Sequence, residues 1–143
     1  MKLYHFKQAI LVTTHQEACI SFYTTYLGMD VHPSDFGVFL QRGVWKIHVI
    51  SKEQAAALGC LYPKEGRMTI CFEVENIESV YHMLSAQKVP LMTSIISHRG
   101  ARGPMQSVYL QDPDGHVIEL SQYMGGEKKA DLFWDNDESK VDE

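Results

Sequence analysis

The residues best suited to chemistry lie late in the chain, in SVYLQDPDGHVIELS from Ser107 to Ser121. Glu119 stands there among Val117, Ile118 and Leu120, where a bare carboxylate is costly unless it has a partner. A strand that carries an acid into a lined cavity is one way to build a metal site or a proton-transfer site. An exposed sheet face is the other reading that the spacing allows. Cys71 shows no base close to it in sequence and reads as buried filler, not as a nucleophile. His5, His15, His32, His82 and His116 fit no ligand pattern and read as surface groups.

Period-two alternation on both sides of Asp112-Pro113-Asp114-Gly115 predicts two strands joined by a turn. Pro113 presets one backbone angle, and Gly115 takes a positive one at no steric cost. Tyr4 to Val12 reads as a strand. Thr14 and Glu17 have the spacing of a capping box, and Cys19, Phe22, Tyr23 and Tyr26 form one helical face, more in keeping with core packing than with a cofactor site. Gly28 follows as the C-cap glycine. Met29 to His32, Phe36 to Gln41 and Val44 to Ile50 read as three strands. Residues 51–66 read as a linker with a short helix from Lys52 to Leu58, ended by Gly59. Met68 to Val74 is then a strand, Asn76 caps a helix with Ile77, Val80, Tyr81 and Leu84 on one face, and Val89 to Met92 is a strand. Ser97 to Pro104 reads as a polar loop before the closing hairpin.

The order strand, helix, three strands therefore occurs twice. FLQRGVWKIHVI (Phe39 to Ile50) echoes YLQDPDGHVIEL (Tyr109 to Leu120), and a module unable to bury both faces of its sheet must pack against its twin. The domain expected from this spans residues 1–124, with module one over 4–50 and module two over 67–123. An acidic tail occupies residues 125–143. It holds seven acids against three lysines, so it carries −4 of the formal −5, and Leu132, Phe133 and Trp134 give it one apolar anchor. The other 124 residues are near neutral with no basic stripe, which argues against nucleic acid as a partner. No apolar run approaches the ~18 residues of a membrane span, and MKLYHFKQ lacks the apolar core of a secretory signal. Three cysteines without CxxC spacing fit reduced thiols in a cytoplasmic compartment.

Taken together, SFYTTYLGMDV (Ser21 to Val31) and RGARGPMQSVYLQDPDGHVIELSQY (Arg99 to Tyr123) resemble the vicinal oxygen chelate superfamily, with its glyoxalase I, glyoxalase-domain and bleomycin-resistance branches. The resemblance covers about Tyr4 to Tyr123. It implies an α+β fold of paired βαβββ modules forming a curved, eight-stranded open barrel, or cup, and homodimers are common among such proteins. It also implies a divalent ion (nickel, cobalt, manganese or zinc) held by one residue from the first and last strands of each module. Carried over, those positions fall on Gln8, on Ile50 at the strict register with His48 two residues earlier on the same face, on Thr69 and on Glu119. Gln8, His48 and Glu119 are the expected ligands, with Thr69 a weak neutral donor and Glu119 also the catalytic base for a proton alpha to a carbonyl. An unligated sheet-face histidine is the other reading of His48. Phe39 and Tyr109, with Ile10, Ile50 and Val117, would line the cup, while His98, Arg99 and Arg102 would grip an anionic substrate or form a solvated loop. Two functions follow from the resemblance: a metal-dependent lyase or isomerase of glyoxalase type acting on a small oxygenated substrate, or a small-molecule-binding protein without chemistry, like the drug-resistance branch. A third reading gives the tail an interaction role through Phe133 and Trp134.

Overall fold

The computed structural model of the protein describes residues 1–4, 6–58 and 66–125. His5, much of the expected linker and nearly all of the acidic tail, with its Phe133 and Trp134, lie outside the described residues. The chain divides into two compact units between Gly66 and Arg67.

In the first unit, β1 (Ala9–Thr13) leads into α1 (Gln16–Leu27), then β2 (Asp30–Pro33), β3 (Val38–Arg42), β4 (Trp45–Ser51) and the short α2 (Lys52–Ala57). The strands form a mixed sheet in the order β1-β4-β3-β2, with β1 parallel to β4 and the other pairs antiparallel. Alternation splits the sheet into two faces. Leu11, Leu40, Ile47 and Val49 are buried on the side of α1, which brings Cys19, Phe22 and Tyr23 to the core. Arg42, on that same side, donates to the Gly28 carbonyl at 3.1 Å. Gly28 ends α1 in the left-handed region (φ 67°), and its N–H goes to the Tyr23 carbonyl.

The start of α1 departs from expectation. The helix begins at Gln16 with His15 at the N-cap, and no side chain caps it. Thr14 Oγ1 meets His15 Nδ1 at 2.9 Å, and the His15 N–H goes to Thr13 Oγ1 at 3.0 Å, so local bonding displaces the expected capping box. A full box forms instead at Ser51 and Gln54, opening α2, where the sequence reading had only a short helix. The first strand is also shorter than expected, Ala9–Thr13 instead of Tyr4 to Val12.

The second unit repeats the plan: β5 (Thr69–Glu73), α3 (Ile77–Ala86), β6 (Ile96–Gly100), β7 (Gly103–Gln111) and β8 (Val117–Tyr123), in the order β5-β8-β7-β6. Asn76 caps α3 by accepting the Ser79 N–H at 3.0 Å. Ile77, Leu84, Val108, Leu110, Ile118 and Leu120 make the core beneath the helix. The side chain of Gln122 accepts the Ile77 N–H at 2.9 Å, which sets the even-numbered side of β8 toward α3. Glu119 and its odd-numbered neighbours therefore leave the sheet on the other side.

Two segments of this unit differ from the sequence reading. Val89 to Met92 forms no strand, only an isolated bridge between Leu91 and Leu110. The polar stretch Ser97 to Pro104 is not a loop: its first part is β6, paired antiparallel with β7 through Ala101 and Arg102. Residues Ile96 to Arg99 are all exposed, so no apolar alternation marks the strand. Each unit is thus βαβββ, and the fold is α+β.

Candidate functional site on the second sheet

The register of the second sheet puts Cys71, Glu119 and Tyr109 in one row across β5, β8 and β7. Ser121 and Ser107 form the next row, and His98 on β6 pairs with Met105. Glu119 is only 8% exposed, and it has the partner that its apolar neighbours demand. Its Oε2 accepts the Tyr109 hydroxyl at 2.7 Å and the Ser107 hydroxyl at 2.9 Å. His98 Nε2 lies 3.3 Å from the same oxygen and 2.7 Å from Ser107 Oγ. Ser107 spends its proton on Glu119, so His98 Nε2–H is the donor in the second contact. Cys71 stands opposite Glu119 in the strand register, and its thiol and the carboxylate act on each other's titration.

The titration behaviour follows from this ring of donors. Burial pushes the Glu119 carboxyl up, but the hydrogen bonds from Cys71, Tyr109 and Ser107 and the charge His98 can carry hold it below the usual 4.5. Burial, then the hydrogen bond and charge of Glu119, push the Cys71 thiol up to about 11. The same causes push Tyr109 up to about 12. At neutral pH the site is one carboxylate facing a thiol and a phenol that both keep their protons. Ser107, His98 and Glu119 share the residue types of a hydrolase triad without its order, because the fully buried serine points its proton at the acid.

The basic residues expected to grip an anion are placed otherwise. Arg102 pairs with Glu73, and its guanidinium lies over the Tyr123 ring at 4.3 Å. Arg99 alternates with His98 along β6 and leaves the sheet on the opposite side. His98 anchors Glu119. Two minor readings are corrected too. His116 is not a surface group: it is 2% exposed, and its Nδ1 accepts the Met68 N–H at 3.0 Å. Cys71 is exposed instead of buried, and its base is Glu119, 48 residues away in sequence but adjacent in register.

In the first unit, Phe39 pairs with His48 as Tyr109 pairs with Glu119, and Ile10 pairs with His48 as Cys71 pairs with Glu119. By strand pairing the counterpart of Glu119 is therefore His48, not Ile50. Phe39 and His48 are 9 positions apart where Tyr109 and Glu119 are 10, so the second hairpin is one residue longer between the paired positions and an ungapped comparison slips there. His48 stacks on Phe39 (ring centroids 4.2 Å apart, 9° between planes), and its Nε2 is bonded to the Phe36 carbonyl. That bond requires a proton on Nε2 and leaves Nδ1 with the lone pair when the ring is neutral. Gln8 lies ahead of β1, half-buried, in a shallow depression of about 460 Å³ that it lines with Leu3, Tyr4, Phe6 and Lys7.

The three expected ligands fall in two units, with Gln8 and His48 in the first and Glu119 in the second. Among the described residues no group of three or more His, Cys, Asp or Glu is gathered to hold an ion. Around Glu119 the neighbouring hydroxyls and His98 turn to its Oε2, and none of them adds a second carboxylate to hold a divalent ion. Thr69, exposed at the start of β5, adds only a neutral hydroxyl. The second unit as it stands does not fit a divalent ion.

Comparison with known proteins places these features. A family model described as the glyoxalase/bleomycin resistance protein/dioxygenase superfamily matches residues 3–120. A glyoxalase domain-containing protein of Mycosarcoma maydis is 32% identical over 117 residues, covering 80% of this chain and 66% of that protein, a little under two thirds. A virulence protein of Salmonella typhimurium is 27% identical over 117 residues, 80% of this chain and 81% of its own. Its crystal structure superimposes with a TM-score of 0.77 at 25% identity, covering 87% of this chain and 100% of that one. Lactoylglutathione lyase from Agrobacterium tumefaciens superimposes with a TM-score of 0.69, covering 85% of this chain and 95% of that one, but at 18% identity the likeness is of fold alone.

Proposed function

We propose that this chain, which belongs to the glyoxalase/bleomycin resistance protein/dioxygenase superfamily, binds a small oxygenated molecule on the face of its second sheet opposite α3, with Glu119 as the anchoring acceptor. The observation that carries this reading is the convergence of Ser107, Tyr109 and His98 on one oxygen of Glu119. Donors stabilise the charged form, which makes the carboxylate a firm docking point and a weak base. A general base works best with a pKa near the working pH, and Glu119 is held on the far side of its usual value. Tyr109 flanks the acceptor, and Cys71 lies across it.

A metal-dependent lyase or isomerase of glyoxalase type is the second reading. It draws support from the name of the M. maydis relative and from His48, whose Nε2–H is tied to a backbone carbonyl as the second nitrogen of a metal-bound histidine usually is. The measurement that separates the two is metal content of the purified full chain, as isolated and after loading with nickel, cobalt, manganese or zinc, repeated on Glu119→Ala. The binding reading expects no ion whose occupancy depends on Glu119. One ion per chain, lost in Glu119→Ala and accompanied by turnover of a hemithioacetal, overturns it in favour of the lyase.

The proposal extends to a single domain over residues 1–124, a homodimer and a cytoplasmic location. The dimer is supported by the habit of the family, and the location by the cysteine usage. Among the described residues, no helix is long and apolar enough to cross a membrane.

A further inference from the structure

Resting on the reading that this face takes a ligand, we infer that it selects molecules presenting hydrogen-bond donors, an organic ammonium first and a hydroxyl second, over carboxylates and phosphates. The selectivity follows from where the protons lie. Tyr109 and Ser107 give their hydroxyl hydrogens to Glu119 Oε2. His98 Nε2–H is spent on Ser107 Oγ and Glu119 Oε2, and Cys71, opposite Glu119 in the register, carries only a weakly donating thiol. The polar hydrogens that Tyr109, Ser107 and His98 turn toward Glu119 are used within the cluster. What remains for a ligand is lone pairs: Glu119 Oε1, the phenol oxygen of Tyr109 and the sulfur of Cys71.

A carbonyl, carboxylate or phosphate brings lone pairs of its own and, beside Glu119, finds only the neutral hydroxyls of Ser121 and Thr69 to meet them. An ammonium or hydroxyl brings what the face lacks. Charge acts in the same direction. Among the described residues the cation beside Glu119 is His98, and only when protonated, while Arg102 is matched by Glu73 and Arg99 leaves the sheet on its other side. An anion placed here meets the Glu119 charge at close range in a poorly solvated spot. An ammonium meets attraction, with the half-buried Tyr109 ring as a second surface. The resemblance had His98, Arg99 and Arg102 grip an anionic substrate or form a solvated loop; the selectivity inferred here runs the other way.

The test uses the full chain, labelled so that the Glu119 side-chain carboxyl and the Tyr109 ring can be followed by NMR. Benzylamine, benzyl alcohol and benzoate, which share one ring, are titrated in turn. Benzylamine is expected to shift both signals at the lowest concentration, benzyl alcohol next, and benzoate to bind about tenfold or more weakly than the amine. Glu119→Gln is expected to erase most of the preference for amine over benzoate. The comparison of probes on the unaltered chain stands even if that variant does not fold. Benzoate binding at this face as tightly as benzylamine overturns the donor selectivity and leaves the face a ligand site. Silence of both signals toward all three probes overturns the selectivity and the binding reading together.

Discussion

Ser107→Ala tests the central arrangement most directly. The serine is fully buried, its hydroxyl donates to a carboxylate that is 8% exposed, and the distance is 2.9 Å. A hydrogen bond to a charged group contributes ~1.5–3 kcal/mol, and alanine leaves almost no cavity. His98 Nε2, already 3.3 Å from the same oxygen, can close on it and recover part of the loss. The lower end applies, ~1.5 kcal/mol, or about tenfold in the unfolding equilibrium. The loss also has a pH signature. The folded pKa of Glu119 is depressed, so its contribution is present above the unfolded value of 4.5 and fades as the pH falls through the lower, folded one. Ser107→Ala brings the folded value back up. The stability gap between the parent chain and the variant should therefore be full at pH 7 and shrink as the pH drops below about 4.5. Urea unfolding at pH 7 and in mild acid measures both. A gap that stays the same in acid refutes the claim that Ser107 acts through the ionised carboxylate, and no gap at pH 7 refutes the hydrogen bond itself.

Other expectations follow from the same geometry. With its thiol pushed up to about 11, Cys71 should alkylate with iodoacetamide slowly at pH 8, where only about one molecule in a thousand is thiolate, and faster as the pH rises toward that value. Glu119→Gln removes the charge that raises the thiol and should speed alkylation at pH 8; peptide mass spectrometry reads the site, and an unchanged rate counts against the pair. Asn76→Ala should cost ~1 kcal/mol by removing the cap from α3, seen as a lower urea midpoint with unchanged slope, whereas Thr14→Ala should leave α1 without any comparable capping loss.

Much of the fold was legible because it rests on local rules. The stripe from Cys19 to Tyr26, the glycine after Leu27, the cap at Asn76 and the alternation around Asp112 to Gly115 each carry their own signal. The strand β6 had none, since an edge strand exposed on both sides needs no apolar alternation. Thr14 and Glu17 had the spacing of a capping box, but Thr13 and His15 offered nearer partners, and spacing cannot rank such competitors. Of the site, Glu119 stood out by its apolar neighbours and Tyr109 by the repeat. The link from Cys71 to Glu119 depends on a parallel pairing across 48 residues, and the roles of His98 and Ser107 depend on the register of a hairpin first read as a loop. The pairing of Arg102 with Glu73, 29 residues away, was not legible in the sequence.

The unequal hairpins of the two halves have a consequence of their own. Lengthening the apex of a hairpin renumbers everything after it while leaving each cross-strand couple intact, so residues can be added there without disturbing what stands opposite the aromatic ring. One half wedges an imidazole against a phenyl, and the other cages an anion beneath a phenol. Two chemistries thus share one address in the sheet, and the address is kept by pairing, not by counting.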